Sequence, residues 1–275
     1  MSHAGPVDPL LVLVDPVARR LDGESVRIAK DVLCAGATAK VCLPDGPEEF
    51  ARALARRGSR RPVLVGDDRT LTRTVSLLHR ERELDCGALS LVPVGAPATL
   101  VLAHSLGVPV STVAAARAVL DGAERRLDLL VDDSDGVVLG HMRIPAFMAR
   151  PAPAGSVSVW HACRSLVRTL VRPAPVTAGQ PAGTYRLRVE ADGVLLSDLD
   201  QPVEDVSLSS RGGRAEVVVR RREADPVRAR ALAVTVSGAD FRYRADVVVA
   251  GPVRTRTWTV RPGAWSLTVP ASSAL

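Results

Sequence analysis

Aromatic side chains make up only 3% of the 275 residues, so the core must be built from Val, Leu and Ala. The same scarcity leaves few stacking platforms for bases, and a nucleic-acid partner is not expected. Lysine is almost missing: Lys30 and Lys40 are the only two, and the rest of the positive charge is arginine, whose planar fork suits phosphate. Cys34, Cys42, Cys86 and Cys163 show no Cys-x-x-Cys spacing, which argues against a zinc ribbon or a disulfide framework and for reduced thiols in the cytoplasm. No basic segment followed by an apolar run opens the chain, so secretion is not expected. Gly-x-Ser-x-Gly, His-Glu-x-x-His and Walker A patterns are absent, and the histidines are scattered without carboxylate or serine partners. Residues 86–116 carry no Asp, Glu, Lys or Arg, a length that would suit a membrane span. Pro93, Pro97 and Pro109, with Gly87, Gly95 and Gly107, cut it into a buried strand, a loop and a short helix instead.

What is present is a folding composition, 47% hydrophobic and 24% charged, long enough for one large domain or two ordinary ones. Residues 1–130 carry 17 basic and 16 acidic side chains, and residues 131–275 carry 19 and 14, so the second part holds +5 of the net +6. That asymmetry favours an anionic partner, and the run Arg220-Arg221-Arg222 is its densest point.

The first part alternates short apolar runs with helical patterns. Strands are expected at 10–14, 38–43, 62–65 and 88–92, and helices at 24–33, 47–57, 70–80, 100–106 and 112–120. Alternation of this kind predicts a doubly wound parallel sheet in an α/β domain. The rhythm then changes. Asp132-Asp133-Ser134-Asp135-Gly136 has the composition of a hairpin turn between strands at 127–131 and 137–139. A Pro/Ala-rich connection (145–155), a helix (159–171) and a second loop (173–183) follow. From 185 on the signals are short strands and turns, the pattern of an antiparallel β-sandwich. The domains are therefore expected at 1–130 and 131–275.

Three segments, in order, resemble motifs of the diacylglycerol kinase catalytic family, which includes sphingosine and bacterial lipid kinases. Gly66-Asp67-Asp68-Arg69-Thr70-Leu71 is similar to that family's Gly-Gly-Asp-Gly-Thr followed by an aliphatic residue. Pro93-Val94-Gly95 with Leu102-Ala103-His104-Ser105-Leu106-Gly107-Val108-Pro109 resembles its Pro-x-Gly-Thr-x-Asn-Asp-Phe-Ala-Arg-x-Leu-Gly-Ile-Pro. Ala118-Val119-Leu120-Asp121-Gly122, continuing to Arg126-Leu127-Asp128-Leu129, is similar to its helix, glycine and basic-x-Asp strand. A weaker fourth match sets Ala245-Asp246 beside the family's Asp-Gly-Glu.

The resemblance implies an ATP- and Mg²⁺-dependent transferase that phosphorylates a lipid hydroxyl. Gly66, Asp68, Arg69, Thr70 and Gly95 would then hold the nucleotide, Asp67 and Asp68 the metal, and Asp246 would serve the acceptor as the catalytic residue. The implied partners are a lipid substrate or an anionic membrane surface, with a homodimer left open. The implied place is the cytoplasm or the inner face of the membrane.

Phosphoryl transfer needs a backbone cradle at a helix N-terminus, where free N–H groups and the helix dipole favour anions. Here Asp67 stands where the family has its second glycine and Arg69 where it has its third. A carboxylate about 4 Å from a phosphate costs on the order of 4 kcal/mol at an effective dielectric near 20. Either a metal or Arg69 offsets that charge, or Asp67 and Asp68 simply cap their own helix. The 96–100 loop lacks the family's Asn-Asp pair, Asp15-Pro16 replaces its Asn-Pro, and Val248 takes the place of its Glu. These departures support a second expectation: a catalytically silent member that binds lipid, nucleotide or a protein through the same cleft.

Overall fold

The computed structural model describes residues 9–146, 185–222 and 224–271. The expected helix at 159–171, the loop at 173–183 and most of the 145–155 connection lie outside them. The chain begins with β1 (Leu10–Val14), α1 (Pro16–Leu21), α2 (Gly23–Gly36), β2 (Ala39–Cys42), α3 (Pro47–Ala55), β3 (Arg61–Gly66) and α4 (Asp68–Arg80). It continues through β4 (Ser90–Pro93), a 3-10 turn (Pro97–Thr99), α5 (Val101–Ser105) and α6 (Thr112–Asp121). The four strands run parallel in the order β2-β1-β3-β4. That is the doubly wound α/β layer the alternation predicts.

Both faces are covered because successive side chains of a strand point to opposite sides. Leu10, Val12, Val14, Val63 and Val65 meet Val26, Ala29 and Leu33 of α2 and Ala115 and Val119 of α6. Leu11, Leu13, Leu64 and Leu91 face the other way, against Phe50 and Leu54 of α3 and Leu71, Val75 and Leu78 of α4. The charge-free stretch at 86–116 is accounted for by β4, the 3-10 turn, α5 and the start of α6. No helix among the described residues is long and apolar enough to cross a membrane.

The second layer is antiparallel. Its strands are β5 (Ala123–Asp132), β6 (Val137–Val138), β7 (His141–Ile144), β8 (Tyr185–Ala191), β9 (Val194–Ser197), β10 (Pro202–Arg211), β11 (Arg214–Arg221), β12 (Ala224–Ala231), β13 (Ala233–Ala245) and β14 (Val248–Val269). The order is β12-β11-β10-β7-β13-β14-β5-β6, and β8 also joins β10 to β13, so β10, β7, β13 and β8 close a ring. Val206, Leu208, Val217, Val219, Val234, Val236, Phe241 and Trp258 fill its interior. This is the expected sandwich. β12 carries arginine and alanine more than β-branched residues and β7 is His-Met-Arg-Ile, so neither has a strand signal of its own.

The two layers are joined by more than sequence. The boundary expected at 130 falls within β5, and β14 runs 22 residues to return its end to the first layer. There the Leu89 N–H donates to Ser266 O at 2.9 Å, the Thr268 N–H donates to Leu89 O at 2.8 Å, and the Ser90 hydroxyl donates to Thr268 Oγ1 at 2.9 Å. Trp265, Leu267 and Val269 share one core cluster with Leu89, Leu91, Leu71 and Val75. That shared packing fixes how the α4–α5 region faces the turn of β13 and β14.

Candidate functional site

In an open α/β sheet, ligands bind outside the carboxyl ends of the strands. At those ends of β1, β3 and β4 lie Asp15, the 66–70 turn and Gly95. Asp15 caps α1, its Oδ1 accepting from the Val17 N–H at 2.7 Å, while Pro16 fills the first helical position. Its Oδ2 accepts from Arg73 of α4 at 2.7 Å, and the Arg73 guanidinium lies 4.7 Å from the centre of the Phe50 ring. Both carboxylate oxygens of the residue that replaces the family's Asn are thus committed within the protein.

Asp67 is the N-cap of α4. Its Oδ1 accepts from the N–H groups of Arg69 and Thr70, each at 3.1 Å, and from the Thr70 hydroxyl at 3.3 Å. These N–H groups are the ones a phosphate would need. Asp68 is buried and points elsewhere: Oδ2 accepts from Leu102 N–H at 2.8 Å and Oδ1 from Ala103 N–H at 2.9 Å. It therefore caps α5, a helix 34 residues further along the chain. The capping alternative holds for Asp67 on its own helix, while Asp68 serves a different one.

Backbone proximity tightens the site further. A Cβ on Gly66 would stand 2.6 Å from Thr70 Oγ1 and 3.0 Å from Asp15 Cβ. One on Gly95 would stand 2.7 Å from Thr99 Oγ1 and 3.4 Å from Asp67 Cβ. Gly66 and Gly95 thus let the protein's own side chains approach. The Thr99 hydroxyl is itself turned inward, donating to Ala96 O at 2.8 Å. Arg69 is exposed, and beyond the backbone N–H it gives to Asp67 its side chain makes no hydrogen bond or ion pair among the described residues.

Asp246 arrives from the second layer, in the turn between β13 and β14, with φ +49°. Its carboxylate accepts from the N–H groups of Leu139 at 2.6 Å and of Gly140 and His141 at 2.9 Å. The 139–141 turn it holds lies against α5, since a Cβ on Gly140 would meet Leu102 Cδ1 at 2.8 Å and Asp246 Oδ1 at 3.0 Å. A relay of contacts therefore runs from Asp68 through the α5 N-terminus and Gly140 to Asp246, across the layers. Val248, in the place of the family's Glu, is 50% exposed.

Burial raises the pKa of Asp68, and the charges of Asp67 and Asp246 push it the same way against the two backbone N–H groups. Burial also raises that of Asp246, opposed by its three backbone donors. A carboxyl whose pKa is higher folded than unfolded holds more protons in the native state, so its contribution weakens as pH rises through that interval. The stability advantage of the wild type over Asp68→Asn is therefore expected to shrink as pH climbs from below 4 toward neutrality. Urea titrations of both proteins across that range check it, and an advantage that grows with pH would contradict the assignment.

Among the described residues no group of three or more His, Cys, Asp or Glu side chains is arranged to hold a metal ion. Asp67 and Asp68, adjacent in sequence, send their carboxylates to the N-termini of α4 and α5 respectively. Sequence reading named every acidic residue here but missed Arg73 and the partners of Asp68 and Asp246. All of these are long-range contacts with no local signature.

A doubly wound α/β layer, an antiparallel sandwich and a site where α4, α5 and the β13–β14 turn meet define the class. Solved structures share the fold. The chain superposes on a candidate diacylglycerol kinase from Bacillus anthracis str. Sterne with TM-score 0.73 at 12% identity, covering 99% of both chains. A diacylglycerol kinase structure from the same organism gives TM-score 0.71 at 12% identity, covering 96% of this chain and 98% of that one. The fold is the diacylglycerol kinase fold. No protein-family profile matches the chain, and a search of curated proteins finds no match.

Proposed function

We propose that this protein keeps the diacylglycerol kinase fold as a binding scaffold and does not transfer phosphate from ATP. One observation carries the reading: Asp67 and Asp68 occupy the N–H groups at the starts of α4 and α5. A triphosphate entering there would have to displace one carboxylate and sit beside a second. Mg²⁺ finds little to hold it with the residues present, because both Asp68 oxygens serve the α5 start and Asp67 keeps only its Oδ2 outside the α4 cap. What remains is a two-layer body with a basic second part, suited to an anionic lipid or a protein partner.

The approach of Asp68 and Asp246 from the two layers favours a second reading, in which the protein is an active lipid kinase. In that reading Arg69, exposed and unpaired, answers the charge of Asp67 as a phosphate fork. Gly66, Thr70 and Gly95 line the nucleotide, Asp67 and Asp68 take the metal, and Asp246 serves the acceptor hydroxyl. A label-transfer assay from γ-labelled ATP to mixed vesicles of diacylglycerol and sphingoid base separates the two. The scaffold reading expects incorporation no higher than a protein-free blank. Mg²⁺-dependent incorporation that disappears in Asp68→Asn would establish the kinase.

A further inference from the structure

On the outer face of the sandwich, strands β7, β10 and β11 lie side by side. Their registers place His141 opposite Ser209 and Ser209 opposite Glu216. One step along, Arg143 stands opposite Ser207 and Ser207 opposite Val218. These six residues, with Leu208, line a depression of about 280 Å³. Its polar groups are unusually free. The His141 ring, the Ser207 and Ser209 hydroxyls and the Glu216 carboxylate make no hydrogen bond among the described residues. Arg143 gives only its Nε to Asp205, which leaves its two terminal nitrogens available.

Among the residues that line this depression charge is divided, while on the flanking strands Arg230 stands opposite Glu216 and Arg244 opposite Arg143. The cationic and imidazole groups stand on β7 and the carboxylate on β11, two strand spacings away, or about 10 Å at the backbone. Side chains leaning inward from these two lines can span a short zwitterion, with the serine hydroxyls of β10 between them. A plain phosphate would meet Glu216 as a repulsive neighbour, whereas a phosphate with an ammonium one short linker away satisfies both edges.

We propose that this depression binds a phosphoethanolamine group, its phosphate on Arg143 and His141 and its ammonium on Glu216. The site stands on the sandwich face and touches the junction of the layers only through His141, whose backbone N–H donates to Asp246; the proposal does not depend on whether the cleft takes a nucleotide. The same chemistry is offered by a free phosphoethanolamine and by the headgroup of a phosphatidylethanolamine lipid.

Titration calorimetry of the full chain with O-phosphoethanolamine and with glycerol 3-phosphate tests the site. At least a tenfold preference for phosphoethanolamine is expected. Glu216→Gln, at a partly exposed position with no hydrogen bond or ion pair to lose among the described residues, should erase that preference while leaving glycerol 3-phosphate binding intact or tighter. His141→Asn should weaken both ligands. Arg143→Met should abolish both, with far-UV circular dichroism checking that the loss of the Asp205 contact has not unfolded the sheet. Absence of phosphoethanolamine binding, or a preference unchanged in Glu216→Gln, overturns the proposal. Co-sedimentation with phosphatidylcholine vesicles, with and without phosphatidylethanolamine, then tells the source. Retention only on the second set assigns a membrane headgroup, and binding of the free compound alone assigns a soluble ligand.

Discussion

Replacing Asp246 by Ala should lower the unfolding free energy by about 3–5 kcal/mol, because each buried donor left without an acceptor costs roughly 1–3 kcal/mol. The carboxylate is the acceptor for Leu139, Gly140 and His141 N–H groups at the junction of the layers. Ala also suits the φ of +49° poorly, which adds to the loss. Part of the effect is returned, since the variant no longer buries a charge. Asp246→Asn is the informative companion: Asn tolerates positive φ and keeps one acceptor oxygen, so it should cost markedly less than Ala. Urea unfolding monitored by Trp258 and Trp265 fluorescence reads both variants, with an unchanged slope marking a true stability effect. Losses below about 1 kcal/mol in both would show that Asp246 is not the clamp described, and would return it to consideration as a reacting group.

The second large effect is a gain. Asp67→Gly removes the carboxylate from the α4 N-terminus and leaves the N–H groups of Arg69 and Thr70 open. The backbone at Asp67, φ −99° and ψ −174°, is one that glycine adopts freely. Replacing an acidic N-cap by Gly costs only a few tenths of a kcal/mol. Removing a charge about 4 Å from an incoming phosphate is worth on the order of 4 kcal/mol, roughly a thousandfold in affinity. The variant is therefore expected to take up inorganic phosphate or pyrophosphate far more tightly than the wild type, as read by calorimetry or ³¹P line broadening. Equal affinity of the two proteins would mean that Asp67 does not govern the site.

How far these features were legible beforehand differs between fold and site. The strand-helix alternation of the first layer could be read because its periodicities are local: Val12 and Val14 alternate with Leu11 and Leu13, and Leu71, Val75 and Leu78 fall on one helical face. α1 escaped because Pro16-Val17-Ala18 looks like a loop after a strand until Asp15 is seen as its cap. β7 escaped because His141-Met142-Arg143-Ile144 is strand only by virtue of pairing with β10 and β13. At the site, the acidic residues could be named from their place in the motifs, yet their roles depend on partners far along the chain. Asp68 meets Leu102 and Ala103, Asp15 meets Arg73, and Asp246 meets the 139–141 turn, none of which spacing alone reveals. The divided charge of the sandwich depression is likewise a matter of register between strands.

The occupation of two helix starts by Asp67 and Asp68 is tested most directly by titrating the wild-type protein with Mg-ATP in a calorimeter, with Asp67→Gly beside it. The expected result is no heat of binding for the wild type at millimolar nucleotide and a measurable isotherm for the variant. Saturable binding of Mg-ATP to the wild type in the micromolar range, undiminished by the aspartates at the starts of α4 and α5, would contradict it.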